Sequence, residues 1–295
     1  MEIAQFIDYL HYEKRYSEHT LLSYRNDLEQ FLQHCRELEN ESFSLLQAQP
    51  QQIRLWLAGL LEKGISSRSI HRKISSLRSY YKYCQQLGAL TSNPVLKVTM
   101  PKVARRLPVF VPEAQTKTLF DELEFTEDFA GLRDRLILEM FYATGIRLAE
   151  LVQLLHSDID LAQGQLRVKG KGNKQRVVPM VDTLVSTCKL YLKQKSLVFE
   201  NNTTDYLFVT DKGKKIYRRF VYRVVNFYLS TYTSAGKRSP HILRHTFATH
   251  MLNQGADINA IKELLGHSSL SATQVYTHTT VEKLKSVYKQ AHPKA

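Results

Sequence analysis

Cysteine is scarce in this chain, and the few cysteines form no functional pattern. Only three occur among 295 residues, at Cys35, Cys84 and Cys188. They show neither the Cys-x-x-Cys spacing of a zinc site nor the even number expected of a disulfide framework. The sequence therefore argues against a disulfide-stabilised or zinc-ribbon fold. We expect three buried thiols in a reducing compartment.

Long apolar runs are missing as well. No stretch approaches the roughly 18 consecutive apolar residues that a membrane-spanning helix needs. The first residues, Met1–Gln5, carry no apolar segment of the secretory type. We therefore expect a soluble, cytoplasmic protein with no membrane partner.

Acidic residues are outnumbered by basic ones. The chain has 41 Lys and Arg against 28 Asp and Glu, which gives a formal net charge of +13. Such an excess favours a polyanionic partner, and nucleic acid is the first candidate. Most of the excess lies after residue 100, where the candidate site residues also occur.

Hydrophobic periodicity predicts a mainly α protein with a small β component, organised as two domains. Residues 1–98 contain apolar residues at helical spacing only. Residues 99–111 are basic and punctuated by proline, which is typical of a linker. Residues 112–295 combine helices with two alternating runs, 165–168 and 175–180, which predict a β-hairpin.

Six side chains that can bind, attack or protonate a phosphate stand at the ends of predicted elements or near the C-terminus. They are Arg147, Lys171, His241, Arg244, His267 and Tyr276. Arg147 follows a glycine turn and opens a helix predicted through Leu154. The pair His241 and Arg244 occupies the first turn of another helix, predicted from Ser239 as N-cap and Pro240 at N1. The free N–H groups at that helix start also favour an anion. Lys171 lies at the tip of the predicted hairpin.

These residue types suit attack of a phenol on a phosphodiester. Two guanidinium forks, Arg147 and Arg244, can hold one phosphate and neutralise charge in the transition state. A phenol has a pKa of about 10 and is scarcely ionised at pH 7. Tyr276 would therefore attack with help from His241. Lys171 would protonate the leaving alkoxide, and His267 would donate a hydrogen bond to a phosphate oxygen. This chemistry needs no metal ion and no cofactor.

Metal-site alternatives fit the sequence less well. His241 and His245 have a spacing that zinc helices use, but Arg244 beside them opposes a dication and no Glu follows His241. Asp158 and Asp160 lie in a predicted loop, where capping or turn chemistry is more common than Mg²⁺ binding.

Further exposed cations are candidates for DNA contact, with phosphate as the default target of any single one. They are Arg68, Arg72, Arg78, Lys174, Arg218, Arg219 and Arg223. The first three share a predicted helix that has almost no acidic residues. That helix therefore suits a position along a phosphate backbone.

The motifs, taken in order, resemble the tyrosine recombinase (phage-integrase-type) family and are most similar to bacterial Xer recombinases. The segments that carry this resemblance are Thr20–Leu28, Ala143–Leu151, Gly170–Lys174, Ser239–His245, Leu264–Ser268 and Thr273–His278. The resemblance implies an N-terminal helical SAM-like core-binding domain and a C-terminal mixed α/β catalytic domain, which form a C-shaped clamp on DNA. It also implies the roles given above for the six site residues, with a 3′-phosphotyrosyl intermediate at Tyr276.

The resemblance further implies an assembly and a biological role. Four protomers, identical or mixed with a paralogous recombinase, would join two double-stranded DNA sites through a Holliday junction. The tail 281–295 would pack on a neighbouring protomer through Leu284 and Val287. Chromosome dimer resolution at cell division, under a septal DNA translocase, is the expected role. The alternatives are a mobile-element integrase, a type IB topoisomerase-like relaxing enzyme and a non-catalytic architectural DNA binder.

Overall fold

The protein divides into two compact units with separate hydrophobic cores. A computed structural model describes residues 2–102, 110–121, 125–170, 174–200, 204–233, 238–266, 287–288 and 290–293. The units are Met1–Arg106 and Leu107–Ala295, and each encloses its own cluster of buried apolar side chains. None of the described helices combines the length and the apolar character that crossing a bilayer requires.

The described part of the first unit is entirely helical, as predicted. Its α-helices are α1 (Ile3–Asp8), α2 (Glu18–Leu38), α3 (Pro50–Glu62) and α4 (Ser67–Gln86), with a π-helical turn at Tyr9–Glu13 and 3₁₀ turns at Leu45–Gln47 and Pro94–Lys97. Ser66 caps α4 by accepting a hydrogen bond from the Ser69 backbone N–H. Cys35 and Cys84 are buried in the core of this unit, as expected.

The second unit places a small antiparallel sheet among helices. The described elements are α5 (Glu113–Asp121), α6 (Phe129–Thr144), α7 (Leu148–Leu151), β1 (Ile159–Asp160), β2 (Gln165–Lys169), β3 (Gln175–Pro179), α8 (Asp182–Val198), α9 (Arg218–Tyr232), α10 (Pro240–Asn253) and α11 (Ile258–Leu265). The strand order is β1-β2-β3, and Val168 pairs with Arg176 across β2 and β3. The predicted hairpin strands are therefore confirmed.

Helix α6 lies at the centre of the second unit. Most of its residues are buried, and it packs against α8, α9 and α10. It ends at Gly145, which has φ = 60° in the left-handed region. Helix α7 then spans a single turn, 148–151, whereas the sequence predicted a helix from Arg147 to Leu154. Arg147 is the N-cap of this turn, and the chain after it continues as turns toward β1.

Gly145 should be essential for this helix end. A Cβ built there would lie 2.5 Å from Cδ1 of Phe247, and its φ is positive. Gly145→Ala should therefore lower the free energy of unfolding by roughly 1–2 kcal/mol for the backbone and by about 1–3 kcal/mol more for overpacking. Urea denaturation followed by circular dichroism measures the sum.

Gly255→Ala is the matched control. Gly255 also has a positive φ, 84°, but a Cβ there has nothing within 4 Å, so only the backbone contribution should appear. If the two variants lose the same free energy of unfolding, the packing argument at Gly145 is contradicted.

The described part of the C-terminal tail packs on its own unit. Val287 lies against the core of the second unit, and Tyr288 is fully buried there. The Tyr288 hydroxyl donates a hydrogen bond to the Ala143 carbonyl at 2.6 Å. The contact of Val287 with a neighbouring protomer stays a prediction, and Leu284 lies outside the described residues.

Candidate active site and DNA-binding surface

The carboxyl end of α11 is the point at which three arginine side chains meet. Helix ends leave their last carbonyl oxygens without partners inside the helix, and α11 ends at Gly266, which has φ = 64°. Three guanidiniums from different elements donate hydrogen bonds to three successive carbonyls. The pairs are Arg176 with Leu264 at 2.7 Å, Arg244 with Leu265 at 2.8 Å and Arg147 with Gly266 at 2.9 Å.

Arg147 is held from two sides. Its backbone N–H and its Nη1 each donate to a different oxygen of Glu150, both at 2.8 Å, while its Nη2 donates to the Gly266 carbonyl. The side chain remains 34% exposed. A guanidinium has five N–H donors, and these side-chain bonds occupy two of them. Within the described part of the chain no partner binds the other donors, which leaves them to a phosphate oxygen.

Arg244 is the buried member of the predicted pair. It lies on α10 and donates to the carbonyls of Gly145 and Leu265. Burial, followed by the positive charge of Arg147, lowers its pKa to about 10. The side chain is therefore still protonated at neutral pH. The structure thus brings Arg147 and Arg244 together as the sequence predicted.

Sequence reasoning missed two residues of this cluster, Glu150 and Arg176. Both are buried, and Arg176 donates to the two Glu150 oxygens at 3.0 and 2.8 Å. Two signals were present in the sequence. Glu150 stands three residues after the N-cap, the position of a capping carboxylate. Arg176 occupies an inward position of a strand, where a charged side chain needs a partner.

The electrostatics of the cluster favour an anion. Arg147 and Arg176 both bind the carboxylate of Glu150. Arg244 feels the charges of Arg147, Glu150 and Arg176, so positive charge is in excess at a partly buried site. Burial on its own raises the pKa of Glu150. The hydrogen bond and charge of Arg176, followed by the Arg147 backbone N–H, outweigh burial and hold that pKa below its ordinary value. The carboxylate is therefore ionised at neutral pH, and the remaining positive charge is available to a phosphate.

His241 stands exposed on the first turn of α10, after the predicted N-cap Ser239 and N1 proline Pro240.

No group of three or more His, Cys, Asp or Glu side chains that could hold a metal occurs within the described part of the chain. Asp158 and Asp160 serve the predicted capping and turn roles, because their carboxylates accept backbone hydrogen bonds from Leu155, and from Ala162 and Gln163.

Three predicted site residues, Lys171, His267 and Tyr276, lie outside the described residues. Strands β2 and β3 are paired up to Lys169 and Gln175, and the Gly170 N–H donates to the Lys174 carbonyl at 2.8 Å. These contacts fix the two ends of the segment that contains Lys171. In the sequence, His267 directly follows Gly266, whose carbonyl binds Arg147.

The DNA-contact candidates of α4 lie on one exposed side of that helix. Arg68, Arg72 and Arg78 are exposed at spacings of four and six residues. Arg72 also donates hydrogen bonds from its Nη1 and Nη2 to the carboxylate of Asp27, which is only 1% exposed. The sequence did not predict this ion pair, which fixes the direction of the Arg72 side chain.

The candidates of the second unit are exposed as well. Arg218, Arg219 and Arg223 project from α9, and Lys174 is exposed at the start of β3. Exposed aromatic side chains, Tyr222 and Phe227, accompany the arginines on α9. Cations interleaved with aromatic rings are typical of nucleic-acid surfaces.

Family profiles decide the classification of the chain. The profile of the phage integrase family matches residues 110–283, and that of the phage integrase N-terminal SAM-like domain matches residues 3–87. The chain belongs to the phage integrase family of tyrosine recombinases. This tyrosine recombinase is therefore an enzyme that cleaves and rejoins DNA strands.

Curated relatives agree with this classification along the whole chain. The protein is 42% identical to the tyrosine recombinase XerC of Staphylococcus saprophyticus over 283 residues, covering 96% of this chain and 94% of the relative. It is 40% identical to XerC of Pelobacter propionicus, covering 100% of this chain and 96% of the relative.

Solved structures share the fold. The XerA recombinase is 28% identical and covers 99% of both chains, with a TM-score of 0.50. The XerH site-specific recombinase, solved bound to its difH substrate before cleavage, is 23% identical and has a TM-score of 0.68 over 91% of this chain and 79% of that chain. This pair supports the predicted recombinase architecture.

Proposed function

We propose that this tyrosine recombinase exchanges strands between two specific DNA sites and thereby resolves chromosome dimers at cell division. The observation that carries the proposal is the meeting of Arg147, Arg176 and Arg244 at the carboxyl end of α11. Glu150 is the one carboxylate bound there, by Arg147 and Arg176, which leaves positive charge for a scissile phosphate. The high identity to proteins named XerC, at full length, favours the chromosomal role over a mobile-element role.

The proposed reaction assigns one task to each of the six predicted residues. Arg147 and Arg244 bind the non-bridging oxygens of the phosphate. Tyr276 attacks phosphorus, and His241 and His267 assist with the proton and the phosphate. Lys171 gives its proton to the departing 5′-oxygen. The tyrosine–phosphorus bond replaces the broken phosphodiester bond, so a new 5′-hydroxyl can reverse the step without ATP.

The proposed assembly is a tetramer on two double-stranded DNA sites, built from copies of this chain or from this chain and a paralogous recombinase. Strand exchange then proceeds through a Holliday junction. The XerH structure, described as a complex with difH substrate, supports a DNA recombination site as the partner. A septal DNA translocase is the proposed activator, and the cytoplasm is the proposed location.

The experiment begins by mapping covalent protein–DNA adducts in the cells that make the protein, which yields the site. Purified protein is then given two supercoiled plasmids, one with two copies of that site and one with none. Recombination of the first without relaxation of the second supports the proposal. Efficient relaxation of the site-free plasmid would instead indicate a topoisomerase. If the covalent adducts map only to a mobile element, the protein is an integrase of that element and the chromosomal role is rejected.

Lys171 provides a separate test of the leaving-group step. Lys171→Ala should slow cleavage of an ordinary substrate by about 10²–10⁴-fold, the usual contribution of a general acid. A substrate with sulfur at the bridging 5′ position should restore most of the rate, because a thiolate leaves without a proton. Lys174→Ala, the neighbouring exposed lysine, is the control and should show no such substrate dependence. A Lys171→Ala defect that is equal on both substrates would reject the acid role.

A further inference from the structure

Arg176 is a buried charge that the proposed reaction does not use. It lies on β3 opposite Val168 and is 5% exposed. A buried cation is stable only where its partners replace the water that it has lost. The three contacts of its guanidinium therefore indicate what the side chain does.

The guanidinium of Arg176 joins three elements of the second unit. Its Nη1 and Nη2 bind Glu150 on α7, and its Nε donates to the Leu264 carbonyl on α11. Gly266 lies so close that a Cβ there would be 3.0 Å from Nη1 and 3.2 Å from Cδ of Arg176. Strand β3, helix α7 and the end of α11 are thus fixed relative to one another at a single side chain.

Glu150 passes this constraint on to Arg147. The carboxylate oxygens that accept from Arg176 also accept from the Nη1 and the backbone N–H of Arg147. The far side of Arg147 donates to Gly266, the residue that packs on Arg176. Both contacts that orient Arg147 therefore depend on the position of Arg176.

We propose that Arg176 is a positioning residue for DNA cleavage, which orients Arg147 through Glu150 and holds the carboxyl end of α11 where the chain continues to His267. All three nitrogens of the Arg176 guanidinium already donate to protein oxygens, so we assign it no contact with the phosphate. The idea rests on the proposed function in one respect, namely that Arg147 binds the scissile phosphate. A displacement of about 1 Å in such a group is enough to slow a reaction about 10²-fold.

The test compares Arg176→Met with Arg133→Met in the full-length protein. Arg133 is a matched control because it is also a buried arginine of the second unit, 3% exposed and paired with the carboxylates of Asp134 and Asp211. The substrate is a nicked DNA duplex that traps the covalent adduct. The measurements are the single-turnover cleavage rate at saturating DNA, the dissociation constant for DNA and the melting temperature.

Arg176→Met should lower the cleavage rate about 100-fold while the dissociation constant changes less than about threefold. Arg133→Met should lose melting temperature and keep a cleavage rate near that of the wild type. Should Arg176→Met fail to fold, Arg176→Lys takes its place, with an expected loss of about tenfold, because an ammonium cannot reproduce the two-pronged contact.

The pH dependence distinguishes positioning from a general loss of stability. Glu150 faces Arg147 and Arg176, with the charge of Arg244 also nearby. Arg176→Met removes the hydrogen bond and the charge that most lower the pKa of Glu150, so burial raises that pKa and protonation would release Arg147 at a higher pH. The acid side of the cleavage profile should therefore move to higher pH in Arg176→Met and stay unchanged in Arg133→Met.

The possible outcomes separate clearly. A folded Arg176 variant that cleaves at the wild-type rate overturns the inference. The inference is also overturned if both variants lose cleavage rate in the same proportion to their loss of melting temperature. Wild-type protein that forms no adduct overturns the proposed function, and this inference with it. A slow Arg176 variant with normal DNA affinity and a shifted acid limb supports it.

Discussion

Tyr276→Phe should abolish the covalent protein–DNA adduct while leaving DNA binding intact. The substitution removes one oxygen, the atom proposed to attack phosphorus, and keeps the ring. Loss of a nucleophile that no neighbour can replace is expected to reduce cleavage by at least about 10⁴-fold. The adduct should fall below detection on denaturing gels, whereas the dissociation constant for the site should change less than about threefold.

A second tyrosine of the same unit provides the control for Tyr276→Phe. Tyr222 is exposed on α9, and Tyr222→Phe should form the adduct at a near-normal rate. Mass spectrometry of the trapped wild-type complex must find the nucleotide on Tyr276. Detection of the nucleotide on any other side chain, or a normal adduct yield from Tyr276→Phe, would exclude Tyr276 as the nucleophile.

Arg147→Lys should be nearly as damaging although it keeps the charge. The arginine reaches Glu150 and the Gly266 carbonyl through two different nitrogens and still has N–H donors left for a phosphate. An ammonium group is a single point donor and cannot serve all three directions. Loss of transition-state hydrogen bonds of this kind reduces rates by about 10²–10³-fold. Single-turnover cleavage at saturating DNA is the measurement.

Arg135→Lys separates this effect from a general cost of replacing arginine. Arg135 also pairs with a buried carboxylate of the second unit, Glu139, at 2.8 Å, but it is no part of the arginine cluster. The control should cleave at the wild-type rate. A cleavage rate for Arg147→Lys within about threefold of the wild type would contradict the phosphate-clamp role.

Much of the architecture could be predicted because it depends on local rules. Glycine and proline positions indicated helix ends, such as Pro240 at the start of α10, and strict alternation indicated β2 and β3. The approach of Arg147 to Arg244 followed from the hypothesis that both side chains hold one phosphate. These inferences needed only the spacing and type of residues, which the chain displays directly.

The missed features depend on long-range contacts that no local pattern contains. Arg176 and Leu264 are 88 positions apart, and nothing near either one indicates the other. The pairing of Arg72 with Asp27 has the same origin, because the partner lies in another helix. The hydrogen bond from Tyr288 to the Ala143 carbonyl spans 145 positions and likewise has no local signal in the sequence.

The acceptors at the end of α11 are all main-chain oxygens, and this has a consequence for how the region can evolve. A point substitution at Leu264 or Leu265 leaves each carbonyl in place, so side chains there can drift without loosening the arginines. An inserted or deleted residue within the helix is different. It would turn every later carbonyl by roughly 100° about the axis and misplace three anchors at once. Related enzymes should therefore vary in the amino-acid sequence of this helix far more than in its length.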